Sequence, residues 1–329
     1  MSEIRWGIIA PGGIARKFAD GLKAVPGAKK AAVASRSLKR AQDFADEYGF
    51  ERAYGSYEEL AADPDVDAVY VASPHSHHME HSLLCIETGK AVLCEKPFTV
   101  NAGEAQKVFD AAKEKGVFIM EAMWTRFLPM ICKVREWLAD GMIGEPRMVM
   151  ADFGFAADFD PEKRHFNPAL AGGGLLDVGV YPISFAAMVF GGGMPDRIGG
   201  LADLGETGVD EQAVMTLGFG PEKLALLACG VRTSTPQAAR VIGSKGSIEI
   251  PPAFWRGTRA ILKRNGHDPE EIDMPHQSNG YEYEAMEVQK CLETGKLESD
   301  IMPHSETLKV MRIMDTLREQ WGIVYPMEK

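Results

Sequence analysis

Cysteine is scarce in this chain. There are five in 329 residues, Cys85, Cys94, Cys132, Cys229 and Cys291, an odd number with no Cys-x-x-Cys pair. That spacing speaks against a disulfide framework or a zinc ribbon and leaves reduced thiols as the reading. Positive charge is short as well. Lys and Arg number 36 against 47 Asp and Glu, a net charge of −11, so the chain has no basic footprint for a nucleic-acid backbone. An anionic cofactor would need a local cationic pocket. Long apolar runs are lacking too: no stretch is expected to reach the length of a membrane span, and "MSEIRWGIIAPGG" enters a strand without a signal-type segment. A cytoplasmic protein is expected. Neither internal repeats nor low-complexity tracts occur.

The composition that remains is that of a globular protein, 45% hydrophobic and 25% charged, in a length that suits two domains. The first 120 or so residues alternate short apolar strands with amphipathic helices. Strands are expected at Arg5–Ala10, Ala28–Ser35, Ala68–Ala72, Ala91–Cys94 and Val117–Glu121, with a helix capped by Ser37 running to Tyr48. Strict alternation implies parallel pairing with right-handed crossovers, hence a doubly wound Rossmann sheet over residues 1–122. Beyond residue 122 the texture changes. Strand-like stretches follow one another, among them Arg147–Phe155, Gln212–Phe219 and Lys223–Val231, and "LGFGPEKLALL" and "IGSKGSIEI" read as hairpins. This predicts an α+β domain over 123–329 with a large, mainly antiparallel, open-faced sheet.

The turn "GIIAPGGIA" follows the first strand and opens the first helix, where a dinucleotide pyrophosphate binds in such folds. It is a relaxed Gly-x-Gly-x-x-Gly/Ala: Ala10 takes the first glycine's place, Gly12 lets the backbone approach, and Gly13 and Ile14 begin the helix. The second strand ends in "ASRSLKRA", with Ser35, Arg36, Lys39 and Arg40 and no acid. An NAD site wants a carboxylate there, whereas guanidinium suits the 2′-phosphate of NADP. A competing reading is a solvated helix start, but three cations there oppose the helix dipole unless an anion offsets them.

Two further stretches carry chemistry. In "AVLCEKPFTV" a buried strand ends in Glu95, Lys96 and Pro97, at the sheet edge where ligands bind. The bland alternative is a surface lysine paired with Glu95. In "NPALAGGGLLDVGVYPI", Asp177 and Tyr181 stand four apart on an apolar, glycine-lined helix that Pro182 is expected to kink. Here the alternative is an acid favoured by the helix dipole and an aromatic of the core. Taken together, Lys96, Asp177 and Tyr181 suit alcohol oxidation. A free phenol has a pKa of about 10, and lowering it by about two to three units needs roughly 3–4 kcal/mol. An ammonium about 4 Å away supplies roughly that at intermediate dielectric. Tyr181 is then the acid/base, and Asp177 orients Lys96 or the substrate hydroxyl.

These motifs, with "VASPHSHHMEHSLLCIETGK", "MEAMWTRFLP" and "GYEYEAMEVQKCLETGKLESDIMP", resemble the Gfo/Idh/MocA oxidoreductases over nearly the whole length. The resemblance implies catalysis by Lys96, Asp177 and Tyr181. It implies cofactor contacts from Ala10, Gly12, Gly13, Ile14, Ser35, Arg36, Arg40, Ser73, Pro74, His78, Glu95 and Lys96. Tyrosine at 181 is similar to the branch of dimeric dihydrodiol dehydrogenases and NADP-dependent xylose dehydrogenases, in which the "MWTRF" residues Trp124, Arg126 and Phe127 help form the substrate pocket. The expected substrate is a small sugar, polyol or diol, the cofactor NADP rather than NAD, and the assembly a homodimer or higher oligomer through the open sheet. A negative φ is expected at Ala10, where many members have glycine. Three alternatives stand beside this: a trans-1,2-dihydrodiol dehydrogenase, a non-catalytic dinucleotide-binding regulator, and a metalloenzyme using His77 and His81 of "PHSHHMEH".

Overall fold

The structure, a computed structural model, describes residues 3–329. The chain opens with β1 (Ile4–Ile9), α1 (Gly13–Gly21), β2 (Ala28–Ala34), α2 (Leu38–Tyr48), β3 (Arg52–Tyr54) and α3 (Tyr57–Ala62). It continues through β4 (Ala68–Val71), α4 (His78–Glu87), β5 (Ala91–Glu95), α5 (Ala102–Lys115) and β6 (Ile119–Ala122). Next come α6 (Pro129–Ala139), β7 (Pro146–Gly154), α7 (Val180–Phe190), β8 (Arg197–Leu204), β9 (Asp210–Gly218) and β10 (Leu224–Gly230). Strands β11 (Ala239–Gly243), β12 (Gly246–Ile250), β13 (Arg259–Arg264) and β14 (Glu270–Asp273) follow, and α8 (Glu282–Glu293) and α9 (His304–Trp321) complete the series.

Two compact units result. The first is Met1–Phe127 with His276–Thr307, and the second is Leu128–Pro275 with Leu308–Lys329. The "MWTRF" segment, placed by the sequence after the boundary, thus packs with the first unit, as does α8.

In the first unit the sheet order is β3-β2-β1-β4-β5-β6, parallel throughout. Strand order reverses between β1 and β4, which opens a crevice at their carboxyl ends. Strands β4 and β5 are wholly buried, "AVYV" and "AVLCE", as expected of strands covered on both faces. Helix α2 is held by the Ser37 side chain, which accepts from Arg40 N. Helix α8 lies close to the end of α1: a Cβ at Gly21 would stand 3.1 Å from Glu282 N and from Tyr281 Cβ.

The second unit is an eight-stranded sheet ordered β14-β13-β12-β11-β7-β10-β9-β8. It is antiparallel except for β7 beside β10. Both expected hairpins are present, as β9–β10 and β11–β12. Along β9, Ala213, Met215 and Leu217 are buried while Val214 is 52% exposed, so one face packs and the other is open.

Helix α7 is preceded by a π-helical stretch, Leu175–Gly179, and every residue of that stretch is buried. Pro182 falls in the first turn of α7, directly after the π stretch, and the helix continues from there to Phe190. The expectation that no run has membrane-span length needs correcting. Pro168–Phe190 is long and apolar enough, with mean hydropathy 1.5, but 94% of that window is buried inside the protein, as in a core helix.

Candidate active site

The glycine turn comes first. Ala10 lies at φ +63°, contrary to the negative angle expected, so this alanine occupies the left-handed region that glycine adopts freely. Gly12 is the N-cap of α1 with φ −105° and no side-chain cap, and no acid stands in the first turn. A Cβ on Gly12 would find only Ala10 O, at 3.9 Å, and one on Gly13 would meet nothing within 4 Å. Neither glycine is required by packing or by its backbone angle. Bare backbone here leaves α1's amino end open to an anion, with half-buried Ile14 as the next residue.

At the end of β2, Ser35 is buried and Arg36 and Arg40 are exposed. Of the three cations expected there, Lys39 is met by Asp43 at 2.7 Å. Arg36 and Arg40 form no ion pair with any described residue. Both lie near Tyr57: burial raises its phenol pKa, and the two guanidinium charges oppose that rise. Tyr57 was not singled out from the sequence, and an aromatic at the start of a short helix gives no signal for it. The Ser73 hydroxyl, past the end of β4, is buried without a hydrogen-bond partner among the described residues, and Pro74 beside it is exposed. An open glycine turn, two arginines without acids and an orphaned hydroxyl, all at the carboxyl edge of one parallel sheet, fit a dinucleotide.

His78 sits beside the ends of β4 and β5. Its ring is fully buried, with Nδ1 2.8 Å from Pro97 O and Nε2 2.8 Å from Ser73 O. Burial, opposed by these two carbonyl contacts, lowers its pKa to about 4, so at neutral pH the ring is neutral and only one nitrogen donates. With one N–H to give, the ring donates to only one of these two carbonyls. His77 and His81 are offset, with ring centroids 5.6 Å apart, and His77 Nδ1 faces Ser76 Oγ at 2.9 Å.

The Lys96–Pro97 peptide bond is cis. Glu95, the buried last residue of β5, accepts from Lys96 N at 3.1 Å and from the Tyr70 hydroxyl in a short bond. Tyr70 is itself fixed by stacking on Phe18, with centroids 3.8 Å apart. Lys96 therefore leaves the sheet from an anchored backbone. Of the "MWTRF" residues, Trp124 stacks on Tyr281 at 4.3 Å and Phe127 is buried. Arg126 is buried too, and its guanidinium lies 3.2 Å from Glu306. Within this unit it balances Glu306 and lowers the pKa of Glu121.

In the second unit, Asp177 sits in the π-helical stretch at 3% exposure, and Tyr181 in the first turn of α7 at 7%. Arg164 Nη1 binds Asp177 Oδ1 at 2.8 Å, and His165 Nε2 is 3.6 Å from Oδ2. Tyr181 packs against Phe153, with centroids 5.4 Å apart, and Phe153 stacks on Trp255 at 3.5 Å and 14°. Sequence reasoning missed Arg164, His165 and Phe153. A buried aspartate implied a cation somewhere, but nothing in the sequence said which of 36 it was.

Residues 4–123 match the family model for the oxidoreductase family with an NAD-binding Rossmann fold, and residues 131–249 that for the GFO/IDH/MocA C-terminal domain. This chain belongs to the Gfo/Idh/MocA family. A trans-1,2-dihydrobenzene-1,2-diol dehydrogenase of Danio rerio is 40% identical over 331 residues, 98% of both chains. The enzyme of the same name from Mus musculus is 38% identical over 99% of both. Among solved structures, a 3-ketoreductase from Actinomadura kijaniata in complex with TDP-benzene and NADP superposes with TM-score 0.83. It is 27% identical, covering 96% of this chain and 97% of that one. An aldose-aldose oxidoreductase from Caulobacter crescentus, complexed with glycerol, gives TM-score 0.88 at 25% identity, covering 98% and 99%. The chain is accordingly an oxidoreductase with an NAD(P)-binding domain, and its family relatives work on diols and sugars.

Proposed function

We propose that this oxidoreductase uses NADP to oxidise a cyclic vicinal diol, with trans-1,2-dihydrobenzene-1,2-diol as the leading substrate and small sugars or polyols as the second class. The observation that carries the choice is the aromatic wall beside Tyr181, in which Trp255 stacks on Phe153 at 3.5 Å. A flat apolar face next to a phenol suits a six-carbon ring that presents adjacent hydroxyls. The name borne by relatives at 37–40% identity supports the same reading. Arg36 and Arg40, lacking acid partners, favour NADP over NAD.

When bound, NADP supplies the hydride acceptor for the carbinol carbon. Tyr181, as phenolate, takes the hydroxyl proton while that hydride leaves, and the ketone formed from a dihydrodiol tautomerises to a catechol. The balance is diol and NADP⁺ giving catechol, NADPH and one proton. Lys96 serves as the ammonium that favours the phenolate. An unpaired carboxylate one turn from Tyr181 would oppose ionisation, and Arg164 at 2.8 Å offsets that charge on Asp177. In carbonyl reduction Tyr181 donates the proton instead.

The test is turnover of NADP, followed by reduced-nicotinamide absorbance, with trans-1,2-dihydrobenzene-1,2-diol, D-xylose and glycerol. Tyr181→Phe is expected to bind NADPH normally and lose turnover by about two to four orders of magnitude. An active variant removes Tyr181 from the role, and no turnover of any diol or sugar favours the regulator reading. The open sheet face supports a homodimer: Met148, Met150, Leu226, Val214 and Leu201 are 39%, 40%, 49%, 52% and 76% exposed on adjacent strands. Leu226→Glu is expected to halve the mass measured by light scattering, and an unchanged mass refutes that interface.

A further inference from the structure

The run Gly172-Gly173-Gly174 just before the helix that bears Asp177 and Tyr181 is filled by this protein's own atoms. A Cβ on Gly172 would stand 2.7 Å from Arg164 O and 2.9 Å from His165 O. Gly173 has φ +117°, and a Cβ there would overlap Asp210 Oδ1. On Gly174 it would meet Asp210 Oδ2 at 3.2 Å and Gly230 Cα at 3.4 Å. Asp210, the first residue of β9, is fully buried, and its Oδ2 accepts from Leu175 N at 2.6 Å. Its Oδ1 has no hydrogen-bond partner among the described residues. Gly173 and Gly174 therefore let the helix start lie on one carboxylate, and Gly172 lets it pass the carbonyls of residues 164 and 165. From the other side, the Tyr325 hydroxyl donates to Gly172 O at 2.6 Å.

We propose that Asp210 is a positioning residue, whose carboxylate fixes the first turn of the helix on which Asp177 and Tyr181 stand and thereby sets where the Tyr181 phenol points. The inference rests on the reading of Tyr181 as the acid/base. An ionised carboxylate receives the helix N–H groups in charge-assisted bonds and complements the helix dipole, whereas a protonated carboxyl holds them less firmly. Burial raises the Asp210 pKa to about 7, opposed by its backbone bonds and by Arg318, so the anchor changes state across the neutral range. The other groups facing it are the Tyr325 phenol and the Cys229 thiol, both with pKa values raised by burial and by Asp210 itself. Arg318 is held by Glu328 at 2.8 Å and by Asp315 at 3.1 Å, and its charge is constant over this range.

The experiment follows Tyr181 directly, in protein carrying tyrosine labelled with ¹³C at Cζ, with the Tyr181 resonance assigned by its loss in Tyr181→Phe. In the wild type that resonance is expected to show, besides the large shift of the phenol's own ionisation, a smaller step with a midpoint near pH 7, and in Asp210→Asn only the smaller step is expected to vanish. Asp210→Asn is also expected to lower turnover at pH 8 at least fivefold while the NADPH dissociation constant changes less than twofold. A Tyr181 resonance that lacks the smaller step, or keeps it in Asp210→Asn, overturns the inference without touching the role of Tyr181. Full turnover by Tyr181→Phe overturns the acid/base reading whatever the resonance does, and this inference with it. Asp210→Ala, which removes the anchor, is expected to lose more turnover than Asp210→Asn, and equal activity with wild type refutes the positioning role.

Discussion

The two glycine turns make an instructive pair. Both precede a helix that bears on the chemistry, and in sequence both look like flexible loops. At Gly12–Gly13 the space a side chain would fill is open, and Gly12 has an angle that any residue adopts. At Gly172–Gly174 the same space is taken by carbonyls of residues 164 and 165, by Asp210 and by the backbone of Gly230. On the proposed reading the first turn is bare for something outside the polypeptide, whereas the second is bare for the polypeptide itself. Glycine content alone does not distinguish a ligand cradle from a packing cradle. What a Cβ would meet does.

The largest effect that would break or sharpen this contrast comes from adding that Cβ. Gly173→Ala puts an L-residue at φ +117° and displaces Asp210 from Leu175, at a cost of about 4 kcal/mol from backbone strain and a lost buried hydrogen bond. Chemical denaturation is expected to show that loss in full. Gly12→Ala, by contrast, is expected to leave the unfolding midpoint within about 0.5 kcal/mol of wild type while weakening NADPH binding more than about tenfold. If Gly12→Ala unfolds the protein and keeps its affinity, the assignment of the two turns is reversed. Next in size, Arg36→Asp replaces a guanidinium that has no acid partner with a carboxylate. NADPH affinity is expected to fall by about 100-fold and NADH affinity by less than about threefold, read by fluorescence titration. An unchanged preference removes Arg36 from 2′-phosphate recognition.

Much of the scaffold was legible because buried parallel strands carry their own signal. "AVYV" and "AVLCE" are apolar throughout, bounded by turns, and alternate with helices of clear period. The strands that escaped were β3, β8, β13 and β14, three of them edge strands. An edge strand is half solvated: β3 has three residues, β8 holds Gly199 and Gly200, and β14 is "EEID". The wrong sign of φ at Ala10 has a similar origin, since alanine's preference says nothing about a turn whose geometry the flanking strand and helix impose. A cofactor contact at His78 was implied by the resemblance alone. That both its nitrogens would meet carbonyls, one of them 19 residues away, depends on tertiary register that a single sequence does not display. The same holds for Arg164 on Asp177.

Burial raises the pKa of Glu121 in the first unit and of Asp210 in the second to about 7. Glu121 accepts from Phe98 N at 3.2 Å and from the Thr307 hydroxyl at 2.9 Å, and these bonds and Arg126 oppose the rise. Because the folded pKa lies above the ordinary carboxyl value, the folded state binds this proton more readily than the unfolded chain. The stability it contributes is therefore present at low pH and lost as pH rises through about 7. Between pH 7 and pH 5 the gain is about 2 kcal/mol. Glu121→Gln removes the titration, so the stability of wild type relative to this variant is expected to grow by about that amount over the interval. Asp210, present in both proteins, cancels. Parallel stability curves for the two proteins would mean that Glu121 is ionised throughout.

The smallest expected effect returns to the first turn. Ala10 holds φ +63° between the end of β1 and the N-cap of α1, and its N–H donates to Ala34 O at 3.0 Å, which ties the strained residue to β2. An L-residue in that region carries about 1–2 kcal/mol of strain, and glycine carries none. Glycine also raises the entropy of the unfolded chain, which returns part of the gain. Ala10→Gly is thus expected to stabilise the protein by about 0.5 kcal/mol, a shift resolvable by denaturant titration. If strain at Ala10 also helps hold the turn open, NADPH affinity should fall slightly in Ala10→Gly even as stability rises. A destabilised variant would show that the Ala10 side chain contributes packing that outweighs its backbone strain. The distinction between a turn shaped for a ligand and a turn shaped by its own protein would then need to be redrawn at this residue.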